Sequence, residues 1–139
     1  MPFEVLLGPA FALVLLTFVV WCQMYLRRIR EMKSKRISPQ KVATRQAATA
    51  LLEDTAASSN FSNLLEAPIL FYALIAIAAG TELMTMAMVV MAWTYVGLRY
   101  AHSFVHLTYN TVMHRFLLYV ASCAILWAMW IMLAIRTFL

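Results

Sequence analysis

Four long apolar runs constrain this chain more than any other feature. Residues 5–26 and 116–135 contain no charged side chain. About 20 helical residues, at 1.5 Å rise each, cross a hydrocarbon core roughly 30 Å thick, so each of these runs can span it unaided. Two shorter runs, 67–81 and 83–98, must borrow polar residues at one end to reach across. Lipid offers no partner to a free backbone N–H or C=O, which excludes open strands and makes all four runs helices. The expected fold is therefore an all-α membrane protein, a four-transmembrane-helix bundle running up-down-up-down. Its helices are predicted at about 3–26, 59–79, 83–104 and 115–138, with a basic loop at 27–58 and one domain over 1–139.

Composition excludes the soluble alternative. The chain is 64% hydrophobic and 12% charged, against roughly 25% charged in soluble domains, and a short soluble chain cannot bury that much apolar surface. Cys22 and Cys123 both lie inside apolar runs, where a cysteine acts as a small hydrophobe rather than a disulfide partner or metal ligand. The first run has no basic leader and is long for a secretory signal, so it is read as a retained helix.

Residues 27–45 carry Arg27, Arg28, Arg30, Lys33, Lys35, Arg36, Lys41 and Arg45 against the lone anion Glu31. The positive-inside rule places this loop in the cytoplasm, and both termini and the 80–82 turn outside. Its cations are read as facing lipid headgroups, not nucleic acid. The alanine-rich stretch after it, 46–58, is compatible with a short helix.

The short 80–82 turn makes the second and third helices antiparallel neighbours. Glu66 then lies about 22 Å of helix from Thr81, and Arg99 about 27 Å, which puts them within about one turn of the same depth. A charged side chain in a membrane helix needs a partner, so a Glu66–Arg99 ion pair is expected. Asn60, Asn63 and Glu66 recur every third residue, and Arg99, His102, His106 and Tyr109 step by three, four and three. Each set keeps to one helix face. Pro68 should leave the Leu64 carbonyl without its usual donor and kink the second helix. Arg27, Arg28 and Arg30 close the first helix, while His114, Arg115 and Tyr119 open the fourth at the same level.

A set so rich in donors suits carboxylates, which arginine binds bidentately. An arginine beside a thiol would favour its ionised form. His102 and His106 have the spacing of metal ligands, but the residues between them are Ser-Phe-Val and no third ligand is evident, so no metal is assigned.

These residues resemble the MAPEG family, the membrane-associated proteins in eicosanoid and glutathione metabolism, which includes microsomal glutathione transferase and prostaglandin E synthase. The likeness covers nearly the whole chain. NLLEAPILF matches the family's Asn-x-x-Glu followed by proline, through Asn63, Glu66 and Pro68. RYAHSFVHLTYN matches its R-x-x-H through Arg99 and His102, with His106 in the place of a tyrosine and Tyr109 following. Arg115 stands where the family has its thiolate-stabilising arginine, with Tyr119 one turn later, and Arg27, Arg28 or Arg30 corresponds to a glutathione-contacting arginine. Ser59 and Ser62 stand where glutathione-binding members carry arginine, and the motifs look like a distinct bacterial-type branch.

The resemblance implies a homotrimer in a bacterial inner membrane with glutathione bound near the cytoplasmic face between subunits. It also implies a glutathione-dependent transferase or peroxidase acting on lipophilic electrophiles. Arg115 and Tyr119 would be catalytic. Asn60, Asn63, Glu66, Arg99, His102, His106, Tyr109 and Arg28 would hold glutathione. Two other readings stay open: a non-catalytic lipid-binding or scaffold protein of the same fold, and a small ion-coupled exporter using Glu66.

Overall fold

The computed structural model describes residues 3–81 and 83–139, without the side chains of residues 3, 4 and 6. Glu82, in the expected outer turn, lies outside the described residues. The described chain is all helix and connecting segment. It comprises α1 (Phe3–Ser34), a 3₁₀ turn at Pro39–Val42, α2 (Arg45–Leu51), α3 (Ala56–Leu64), α4 (Ala67–Gly80), α5 (Met86–Leu107) and α6 (Val112–Phe138).

Three helical stretches among the described residues are long and apolar enough to cross a membrane: Leu7–Ser34, Ala56–Gly80 and Val112–Phe138. At 22 residues α5 has the length as well, but it carries Arg99, His102 and His106, which lower its hydropathy. The outward surfaces are apolar. Phe11, Phe18, Trp21, Phe104, Phe116 and Trp127 are all exposed, an arrangement that water would not tolerate and lipid requires. The chain is an integral membrane protein.

One core joins the long helices. Leu13, Leu16 and Val20 of α1 meet Phe71, Leu74 and Ala78 of α4, Met88, Ala92 and Tyr95 of α5, and Leu126, Met129 and Leu133 of α6. The spacings are those of one helix face turned inward.

Several boundaries differ from the expectation, three of them with consequences for the site or its supports. α1 continues to Ser34 rather than stopping near residue 26, because the end of an apolar run marks the edge of the hydrocarbon, not of the helix. Arg, Glu, Met and Lys are good helix formers. α5 begins late, at Met86, where the Thr85 hydroxyl caps it by accepting from the Met88 N–H at 3.2 Å. The second helix is broken, not merely kinked. α3 ends at Leu64 and α4 restarts at Ala67, with Glu66 at φ −93°, ψ −93° and Pro68 in the first turn of the new helix. Proline is well placed there, since a first-turn N–H has no intrahelical acceptor to lose.

Glu31 folds the basic segment back onto α1. Its carboxylate accepts from the backbone N–H groups of Glu53 and Asp54 at 2.7 and 3.2 Å, and from Lys35 at 2.8 Å. Lys35 also reaches Glu53 at 2.8 Å, and the two carboxylates, Glu31 foremost, hold its pKa above the usual lysine value. Val42, Ala48 and Leu52 pack beneath this lock with Met32 and Ile37. Glu31→Ala should therefore free the 35–55 segment, and limited trypsin digestion should cut it several-fold faster than in the parent while the membrane helices stay intact.

Candidate functional site

The break between α3 and α4 creates the first element of the site. The Asn63 carbonyl, freed of its helical donor, accepts from Arg99 Nη2 at 2.8 Å. Arg99 is the largest fully buried side chain of the described chain. Its guanidinium carbon lies 5.5 Å from the centroid of the Tyr119 ring, a cation–π distance. Nε and Nη1 are buried with no partner.

Here the structure corrects the sequence expectation. Arg99 and Glu66 form no ion pair. Arg99 takes the Asn63 backbone instead, and Glu66 is exposed, its carboxylate making no hydrogen bond or ion pair among the described residues. Glu66 sits at the break itself, at φ −93° and ψ −93°, where the continuous helix assumed in counting residues does not hold.

His102 reads the start of α6. Its Nδ1 lies 2.9 Å from the Arg115 carbonyl. A carbonyl only accepts, so Nδ1 donates, and Nε2 is left buried as an unpartnered acceptor in the neutral ring. His106, one turn on, meets His102 edge to face at 5.6 Å and is also buried. Its Nδ1 too has no partner. Tyr119 stands 5.9 Å from His102. Asn60 is fully buried and accepts from Ser103 Oγ at 3.1 Å, with its amide nitrogen unpartnered.

Arg115 is placed by the turn before it. Asn110 takes a left-handed conformation, φ 50°, which asparagine tolerates better than most residues. Its N–H bonds back to Val105 at 2.8 Å, closing α5, and its side-chain oxygen accepts from Arg115 Nη1 at 2.7 Å. Asn63, His102, Val112, Arg115, Phe116 and Tyr119 surround a recess of about 190 Å³.

Two expected residues are elsewhere. Tyr109 falls beyond the end of α5, is exposed, and pairs with His114 at 3.2 Å. The face periodicity placed it with His106 only if the helix ran on. Arg28 bonds the Val42 carbonyl at 3.3 Å and lines a different recess. Of the first-helix cations it is Arg27 that reaches α5, donating to the Leu107 carbonyl at 2.9 Å near Asp54 at 3.5 Å. A cation there also favours the α5 C-terminus.

Sequence reasoning passed over Tyr95 and Asn110. Tyr95 lies one turn before Arg99 on the same face, stacks on Phe71 at 4.7 Å, and has a buried hydroxyl without a partner. Its i, i+4 spacing to Arg99 was a usable signal. An asparagine just past a helix end is likewise a left-handed cap signal. Asn110→Gly keeps the backbone conformation and deletes the Arg115 tether. It should leave the melting temperature within a few degrees of the parent while weakening any function that depends on Arg115, and thermal melts beside ligand titration separate the two.

The unpartnered buried atoms test whether this cluster suits an anionic, hydrogen-bonding ligand. A buried guanidinium with a carbonyl but no carboxylate is uncompensated, at a cost of several kcal/mol. Arg99 offers two free donor nitrogens and His102 one acceptor, and Arg115 lines the recess. That donor set suits a ligand carrying carboxylate and amide groups.

An all-helical membrane protein with a buried arginine and buried histidines gathered toward one end of its helices is the class that fold and cluster define. The chain belongs to the MAPEG family, whose model matches residues 6–135. No curated protein and no solved structure matches it.

Proposed function

We propose that this chain is a glutathione-dependent membrane transferase or peroxidase acting on lipophilic electrophiles. The observation that carries the reading is buried Arg99, with free guanidinium N–H groups and no carboxylate, packed on Tyr119 beside a recess that Arg115 lines. Glutathione supplies the thiol nucleophile. Arg115 holds the thiol in its ionised form, because an opposite charge lowers an acid's pKa from its ordinary value near 8.5. Tyr119 donates a hydrogen bond near the sulfur. Arg99 and Asn63 hold a carboxylate and the peptide backbone, His102 Nε2 accepts an N–H, and Glu66 holds the ammonium group.

The same reading gives the assembly. α5 is the fourth crossing helix, because packing against α1, α3 and α6 hides its polar residues from lipid. Glu66 is exposed on the single chain at membrane depth, where a carboxylate needs protein around it. A homotrimer with the ligand between subunits meets that need and completes a recess too small for a whole tripeptide. The basic end faces the cytoplasm, with both termini outside, and the bacterial inner membrane suits that orientation.

A second reading has one observation in its favour. Ser59 and Ser62 occupy positions where glutathione-binding relatives carry arginine, which favours a non-catalytic binder of lipophiles. Turnover decides between them. Purified protein should form a thioether from glutathione and a lipophilic aryl halide, or reduce a lipid hydroperoxide, well above the uncatalysed rate. Lipophile binding with neither reaction would transfer the case to the binder.

A further inference from the structure

A second recess, of about 370 Å³, lies between α1, α2 and α3 at the basic end and shares no lining residue with the one around Arg115. Its charged lining is Arg28, Arg45 and Asp54. Asp54 is engaged by Arg27 at 3.5 Å. Arg28 and Arg45 have no carboxylate partner among the described residues. Arg28 donates once, to the Val42 carbonyl, and Arg45 once, to the Ser62 hydroxyl. Ser58 and Ser62 spend their own protons on backbone carbonyls at 2.9 and 3.1 Å. The remaining N–H groups of the two guanidiniums are thus the recess's principal free donors, and they suit a phosphate.

The recess continues into the membrane. Phe61 and Leu65 line both it and an apolar groove of about 360 Å³ bounded by Val14, Phe18, Trp21 and Tyr72. Along α1, Arg28, Met24, Trp21, Phe18 and Val14 step by four, three, three and four, one face of a helix running from the basic end into the apolar span. Val14, Phe18, Trp21 and Leu65 are exposed on it. A cationic mouth over a continuous apolar seam at the membrane boundary has the chemistry of a lipid that is anionic at one end and alkyl beyond.

We propose that this face binds an anionic phospholipid of the surrounding bilayer. The headgroup phosphate sits on Arg28 and Arg45, and one acyl chain lies along Trp21, Phe18 and Val14. The position is separate from the Arg115 recess, so the inference stands whether or not glutathione is the ligand there.

Trp21 reports on it. The full chain in detergent micelles is titrated with phosphatidylglycerol or phosphatidylcholine brominated in the acyl chains, and tryptophan quenching is followed. Brominated phosphatidylglycerol should give a saturable quenching component that Trp21→Phe removes. Arg45→Gln and Arg28→Gln should each weaken it about tenfold or more, as the loss of a charge-assisted hydrogen bond predicts. Arg28→Lys with Arg45→Lys, which keeps the charge, should restore much of the affinity and serves if the glutamine variants fold poorly. Equal quenching by phosphatidylcholine, or indifference to Arg28 and Arg45, would overturn the proposal. Loss of the component in millimolar inorganic phosphate at constant ionic strength would show a free-phosphate site instead. A Trp21 that neither lipid quenches, the result if a second copy of the chain covers the groove, would also refute it.

Discussion

Arg115→Ala is expected to slow thiol conjugation by about 100-fold or more, the loss typical when one pre-placed electrostatic group is removed from a reacting centre. The helix should survive. Arg115 is half-buried in the first turn of α6, its side chain bonds only Asn110 among the described residues, and the carbonyl that His102 uses belongs to the backbone. The variant should therefore run at the parent's oligomer mass and melt close to it. The loss should also depend on pH. With the guanidinium gone the bound thiol titrates nearer its ordinary pKa, so the variant should recover part of its rate as pH rises toward 9. An Arg115→Ala protein as fast as the parent would remove this residue from the chemistry.

Arg99→Met should separate binding from folding. The substitution removes a buried, uncompensated cation and fills its space with an apolar chain. Replacing buried charge by packed hydrophobic groups is often neutral or stabilising. It leaves the Asn63 carbonyl without its donor, which costs about 1–3 kcal/mol. The ligand-free variant should thus melt near the parent. Glutathione affinity should fall by about ten- to a hundredfold, the equivalent of roughly 1.5–3 kcal/mol for a charged hydrogen bond. A collapse in melting temperature with affinity preserved would make Arg99 a structural residue and leave the anion to other side chains.

The apolar runs at either end of the chain were legible as helices because nothing else can be done with 20 uncharged residues in lipid. Pro68 announced a disturbance in the second helix, but not whether it would be a kink or a break. A break instead of a kink frees the Asn63 carbonyl and leaves Glu66 exposed, so the acid and base expected to pair do not meet. Depth is a one-dimensional quantity that residue counting supplies, whereas azimuth past a broken helix depends on tertiary packing. The same limit misplaced Tyr109. The spacing of Arg99, His102 and His106 held as far as α5 did, and α5 ended at Leu107. Tyr95, on the same face in the other direction, was the better extrapolation. Arg28 was drawn toward the site by its charge, but the folded-back basic segment turns it to Val42. That fold depends on Glu31 gathering the N–H groups of Glu53 and Asp54 across more than 20 residues, which no local pattern encodes.

The central claim is that the cluster under the α3–α4 break binds glutathione, and calorimetric titration of glutathione into the detergent-solubilised protein tests it most directly. Saturable binding to the parent is expected, weakened in Arg115→Ala and in Glu66→Gln while the oligomer mass holds. No heat of binding at millimolar glutathione, from protein that is folded and still associated, would mean that the family's fold is kept here without its thiol.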